Sequence, residues 1–375
     1  MWWQAGNLAG TLRLWMMSRP AEDMGPCLIV TIRAFNHGRY GFQLLNYFSL
    51  AGYRIVFYRS GGFLYRLAGY DRLILDLPGA CLWTRRMAIG GGEYPWLRLG
   101  LGDEVAPPPF RVSLRLTVDL DYFSPASQSN AGAFPIPYFV HPLLGRRLPK
   151  AGAGDGKARR ARVLMYGQPD LPTDSLLESH FGLISRSLVF DALTRSDLPC
   201  FVPEDFTRLL RWLGSEGSAC GECCLIDSRR VWIPLDRWLE VLSAFDFFVA
   251  TPGYCMPQAH NLMEAMSVGT IPILPYHHYL RPPLTPGVDC LAFRDADGAV
   301  SSVREALRLA PGEVEALRKG VTDYFASHID PSAVVPRLFH QASATGRLTL
   351  LFNAEEFSLR RMDMEPARLQ VGPIA

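Results

Sequence analysis

Apolar residues along this chain fall into two spacings, short unbroken runs and stretches with a helical period, and the two alternate. Cys27–Ile32 (CLIVTI) is a run with strong β preference and predicts a strand. A polar loop over 33–40 (RAFNHGRY) follows, and 41–50 then spaces its apolar side chains helically until Gly52. Residues 54–58 (RIVFY) predict the next strand, 63–68 a helix and 73–75 a third strand. Glycine and proline punctuate 88–110, which reads as irregular. Residues 112–118 alternate apolar and polar side chains as a strand does, and end at Asp119-Leu120-Asp121.

Residues 151–162 (AGAGDGKARRAR) are small, basic and lack large apolar side chains, the composition of an interdomain linker. The alternating pattern restarts at 163–166 (VLMY), with helices expected over 185–193 and Leu235–Ser243. A strand over 247–250 closes on Thr251-Pro252-Gly253, and a short helix over 260–268 stops at Gly269. Ile271–Leu274 is the strand after it, and 348–352 is strand-like within a charged tail. Strands alternating with helices over short loops predict an α/β protein with two Rossmann-like domains. They are expected at 1–150 and 163–346, with the linker between them and a tail over 347–375.

A chain of 375 residues is long enough for two such cores. A net charge of +2 gives no reason to expect nucleic acid as a partner. Lysine occurs only at 150, 157 and 319, so basic chemistry falls to arginine, the better bidentate phosphate ligand. Cys220, Cys223 and Cys224 cluster without the second ligand pair of a zinc site, so no metal is expected and the thiols read as reduced, in a cytoplasmic protein. No apolar run is long enough to span a bilayer. Within residues 1–20, Trp2, Trp3, Leu8, Leu12, Trp15 and Met16 form a stripe beside Arg13 and Arg19. Such a stripe can pack on its own domain or lie as a peripheral contact on the inner face of a membrane.

The strand–loop–helix–strand unit that ends at Leu274 puts His260, Asn261 and Glu264 at the mouth of a helix. Unpaired N–H groups at a helix N-terminus attract phosphate, and a carboxylate one turn in can hold a ribose. The run Glu264-Ala265-Met266-Ser267-Val268-Gly269-Thr270-Ile271-Pro272-Ile273 resembles the donor-site signature of GT-B glycosyltransferases, of the exostosin-like and group-1 families. Pro282-Pro283-Leu284, Gly287 and Leu291-Ala292-Phe293 continue the likeness.

That resemblance implies two Rossmann-like domains facing a cleft, with a nucleotide-diphosphate sugar as co-substrate and no other cofactor. It implies transfer of a hexosyl or related group to a hydroxyl on a surface glycan or glycolipid, with Glu264 on the donor ribose. One position departs from the pattern. Retaining group-1 enzymes carry a second glutamate eight residues before the ribose-binding one, and this chain has Met256 there. An inverting course is one reading of that change.

Arg186 is expected to clamp the donor phosphates and His260 to donate to them, with Asn261, Gly253 and Tyr254 completing the donor site. For the acceptor base the candidates are His37, in the loop after the first strand, then Asp119 and Asp121, with His141 a further one. Asp119-Leu120-Asp121 also spells a metal-binding D-x-D, but in an extended chain its two carboxylates point to opposite faces. A nucleotide-sugar epimerase or hydrolase, and a non-catalytic carbohydrate-binding protein, are the alternatives on the same fold.

Overall fold

The computed structural model describes residues 12, 14, 25–32, 39–60, 64, 69–83, 93–99, 110–124, 127, 129–148, 159–170, 174–214, 221–355 and 357–359. They form two compact units. Unit 1 comprises Met1–Ile136 with Pro331–Ala375, and unit 2 is Pro137–Asp330.

Unit 1 holds a parallel sheet of β1 (Cys27–Ile32), β2 (Arg54–Phe57), β3 (Cys81–Leu82), β4 (Glu93–Leu99), β5 (Arg111–Asp119), β6 (Ala133–Pro135) and β13 (Arg347–Leu351). Their order is β3-β2-β1-β4-β5-β13-β6. Helix α1 (Arg39–Leu50) follows β1 and buries Phe42, Leu44, Leu45, Tyr47 and Phe48. Unit 2 holds β7 (Ala161–Gly167), β8 (Cys200–Phe201), β9 (Cys223–Asp227), β10 (Phe245–Val249), β11 (Ile271–Leu274) and β12 (Leu291–Ala292). Their order is β12-β11-β10-β7-β9-β8, again all parallel. Between and around these strands run α2 (Asp174–Phe181), α3 (Arg186–Arg195), α4 (Phe206–Gly214), α5 (Leu235–Ser243), α6 (His260–Ser267), α7 (Ala296–Arg308) and α8 (Pro311–Tyr324), and unit 1 receives α9 (Pro331–Ser343). Each unit is thus an α/β layer structure on a parallel sheet, the class expected from the alternating pattern.

Several elements differ from the sequence reading. The run at 73–75 is not a strand but part of a 3-10 helix over Gly69–Asp76, which buries Ile74 and Leu75. A three-residue apolar run fits a helical turn as well as a strand, and here Asp71, Arg72 and Asp76 punctuate it. The stretch read as irregular contains β4, which pairs with both β1 and β5. Pro95 is tolerated there because the register shifts at Tyr94/Pro95, a bulge that frees the ladder from needing its missing N–H.

The chain passes from unit 1 to unit 2 at Ile136–Pro137, ahead of the expected linker. Strand β7 begins at Ala161, and 149–158 lie outside the described residues. The strand-like segment of the tail is β13, inserted between β5 and β6 with five residues in register against β5. The C-terminal segment is therefore part of the first core.

Leu350 of β13 is fully buried. Leu350→Ala is expected to cost about 2–5 kcal/mol, as for other leucines truncated in a core. Urea denaturation checks this, and an unchanged unfolding curve would place β13 outside the core.

Candidate functional site

In a parallel α/β sheet, ligands gather outside the carboxyl ends of the strands where the strand order reverses. In unit 2 that point lies at β7, flanked by β9 on one side and β10 on the other. The carboxyl end of β7 is Gly167-Gln168, and β10 leads into Ala250–Gly253. Arg186, the first residue of α3, joins the two ends. Its Nη1 donates to the Gln168 carbonyl at 3.3 Å and its Nη2 to the Pro252 carbonyl at 2.6 Å. Ser185 caps the helix by accepting from Leu188 N at 3.2 Å, which sets the stem from which Arg186 projects. A Cβ on Gly167 would lie 3.1 Å from Arg186 Nη1, so the side chain runs close over the strand end. Behind it, Tyr276 is wholly buried, with its hydroxyl donating to Thr251 O at 3.4 Å, and burial pushes its pKa up.

The loop from Thr251 to Ala259 folds back on itself. Gly253 N donates to the carbonyls of Met256 and Pro257, at 2.9 and 3.2 Å. A Cβ at Gly253 would stand 2.4 Å from the Gln258 carbonyl oxygen, so glycine alone fits this turn. Met256 is 0% exposed, which makes it a core side chain. Tyr254 is exposed on the same loop.

Helix α6 then starts at His260 with Ala259 at its N-cap, a residue that brings no oxygen to cap the first N–H groups. His260 Nδ1 lies 2.6 Å from the Phe139 carbonyl, which can only accept, so Nδ1 carries the proton. Nε2 lies 3.4 Å from the Tyr138 hydroxyl, and the two rings stack at 4.8 Å. The His141 ring meets that of His260 edge-on, with centroids 5.8 Å apart. Asn261 has a buried Oδ1 that meets no hydrogen-bond partner among the described residues.

Glu264, one turn further in, is buried. Its Oε1 accepts from the backbone N of His141 at 2.8 Å and its Oε2 from Trp238 Nε1 of α5 at 2.6 Å. The carboxylate thus ties α6 to α5 and to the segment around His141. The sequence pattern predicts the helix that carries Trp238 but does not single out this side chain. Its role has no local signal, because the partners stand 26 and 123 positions from Glu264.

Arg186, Gly253, Tyr254, His260, Asn261 and Glu264 all belong to unit 2, on the loops and helix starts that follow its strands. Asp119 and Asp121 belong to unit 1. Asp119 Oδ1 accepts from Asp121 N at 3.0 Å, and Asp121 Oδ2 accepts from Ser127 Oγ at 2.9 Å. One carboxylate therefore closes a turn and the other anchors a hydroxyl. His37 lies outside the described residues, as does Cys220. Cys223 and Cys224 are buried free thiols on β9. Among the described residues no group of three or more His, Cys, Asp or Glu side chains is placed to hold a metal ion. No described helix is long and apolar enough to cross a membrane. Of the stripe in residues 1–20 only Leu12, half exposed, is described.

No protein-family model and no curated protein matches this chain. Solved structures of glycosyltransferases do align with it. AviGT4, a glycosyltransferase involved in avilamycin A biosynthesis, shares 16% identity over 86% of this chain and 98% of its own, with a TM-score of 0.44. HepE of Anabaena, solved in complex with UDP, shares 10% over 85% and 100%, with a TM-score of 0.46. WaaG, a glycosyltransferase involved in lipopolysaccharide biosynthesis, shares 11% over 84% and 99%, with a TM-score of 0.35. At these scores the likeness is one of chain path and carries no weight for activity.

Trp238→Phe keeps an aromatic ring and removes the donor to Glu264 Oε2. It is expected to cost about 1.5–3 kcal/mol, the range for a hydrogen bond to a charged group, read as a shift in the urea midpoint. A second expectation concerns His277, whose pKa is lowered by burial and then by Arg294. Its Nδ1 is buried without a partner among the described residues, which gives a proton there no acceptor. Below the ordinary histidine value of about 6.5 the unfolded chain takes up a proton that the folded chain resists, and stability falls. His277→Phe should therefore lose less stability than the parent between pH 7 and pH 5. Equal losses would refute the assignment.

Proposed function

We propose that this chain is a glycosyltransferase that moves a sugar from a nucleotide-diphosphate donor to a hydroxyl, with the donor held by unit 2. The observation that carries this reading is Arg186, a fixed positive charge spanning the carboxyl ends of β7 and β10 at the reversal of strand order. A departing diphosphate needs positive charge and aligned N–H groups, and Arg186 and the uncapped start of α6 are of that kind. Gly253 and Tyr254 form the turn beside them, and Asn261 offers an amide in the first turn of the helix. In this reading His260 lines the mouth of α6 with its ring nitrogens on Phe139 and Tyr138, and Glu264 takes the ribose. The sugar is a hexose or a relative of one, and the acceptor is a surface glycan or glycolipid.

An inverting course is supported by Met256, a buried apolar side chain where the retaining enzymes it resembles carry a carboxylate. An inverting transfer needs a base for the acceptor hydroxyl, and His37, Asp119 and Asp121 of unit 1 are its candidates. No metal takes part, so turnover is expected to survive EDTA. Abolition by EDTA with recovery on Mn²⁺ would overturn that part.

Calorimetric titration with UDP and GDP tests the core of the proposal. Arg186→Gln should weaken either diphosphate by about 1.5–3 kcal/mol, the worth of a charge-assisted hydrogen bond, and leave uridine or guanosine alone unaffected. A parent protein that binds neither diphosphate would exclude the reading.

A further inference from the structure

Tryptophan carries the largest apolar surface of any side chain, and this chain buries it at Trp96, Trp212 and Trp238. Among the described tryptophans Trp232 is the most exposed, with 70% of its surface accessible. Its exposure is imposed by its neighbours, since Val231 and Ile233 on either side are 2% and 3% exposed. The two buried side chains point the indole between them outward.

The loop that carries it is also held in place. Val231 N donates to the Asp227 carbonyl at 3.0 Å, and Ser228 N to the Gly167 carbonyl at 3.1 Å. The Ile233 backbone hydrogen-bonds the Tyr166 hydroxyl, and Pro234 is the N-cap of α5. This loop follows β9, the strand next to β7, and so leaves the sheet at the same carboxyl edge as Gly167 and Gln168, where Arg186 lies. Around Trp232 the loop is charged. Arg229 bridges Asp227 and Asp170 at 2.8 and 2.7 Å, and Arg230 is exposed.

A single aromatic plane among charges is a poor docking surface for a protein or a lipid bilayer, both of which need a contiguous apolar patch. It is a good partner for one flat π-system. We infer that Trp232 is the stacking platform for the base of the nucleotide donor, an inference that rests on the donor site proposed for unit 2. Stacking accepts any base, because every base has a π-face.

The test is titration of Trp232→Ala and Trp232→Phe with UDP, GDP, uridine and guanosine, followed by calorimetry. Trp232 is exposed, so both variants should fold, and circular dichroism and the urea midpoint check that they do. Trp232→Ala should weaken each diphosphate and each nucleoside by about 5- to 150-fold, the stacking range of 1–3 kcal/mol. Trp232→Phe should recover part of the loss. The nucleoside arm separates this result from Arg186→Gln, which affects the diphosphates alone. If the parent binds and Trp232→Ala binds equally well, the platform is wrong and the donor site stands. A Trp232→Ala variant that loses affinity for a methyl glycoside, with nucleotide binding intact, also overturns it and makes Trp232 a sugar platform. If the parent binds no diphosphate and no nucleoside, both readings fall.

Discussion

A buried carboxylate has to be satisfied, and much of the candidate site follows from how Glu264 meets that demand. The indole N–H of Trp238 and the backbone N–H of His141 both reach it. Because hydrogen bonds to a buried charge are directional and costly to lose, they fix α6 against α5 and against the segment that carries Tyr138 and His141. The same segment offers the Phe139 carbonyl to His260, which sets the tautomer of that ring. At the other end of α6, Arg159 donates to the carbonyls of Val268 and Ser243, both at 2.6 Å, and so ties the ends of α6 and α5 together. The helix is held at its middle and its tail, and its first turn is left without a side-chain cap.

Unit 2 was the more legible of the two in the sequence. Its helices at Leu235–Ser243 and His260–Ser267 have clear apolar periods, and Ile271–Leu274 is a run closed by Gly269-Thr270 before it. Unit 1 hid β4 behind Gly90, Gly91, Gly92 and Pro95, residues that ordinarily announce a loop. It also hid the membership of β13. The pattern of 348–352 says strand, but only tertiary pairing says that the partners are β5 and β6, more than 200 positions away. Glu264 and Arg186 could be chosen from residue type and place in a strand–helix unit. Their actual partners could not, because Gln168, Pro252, Trp238 and His141 come from separate elements that the fold brings together.

Those partners change how the donor-site residues divide the work. A glutamate that serves a ribose alone can be exposed to its ligand, and its removal costs affinity. Glu264 has 3% of its surface exposed and already accepts at both oxygens. A ribose hydroxyl would be bound only as a further donor to a group that is already neutralised in part. The gain from that contact is bounded by the worth of one further hydrogen bond, about 0.5–1.5 kcal/mol when the charge is shared among several donors. Removing the carboxylate, by contrast, strands two buried donors and loosens α6 itself. Any loss of affinity in such a variant therefore mixes a missing contact with a displaced helix. Arg186 bears on α6 only through the Pro252 carbonyl of the loop before it, since it is anchored on α3 and holds the strand ends directly. On this division of labour Glu264 sets where the first turn of α6 lies, and the charge that a diphosphate answers to comes from Arg186.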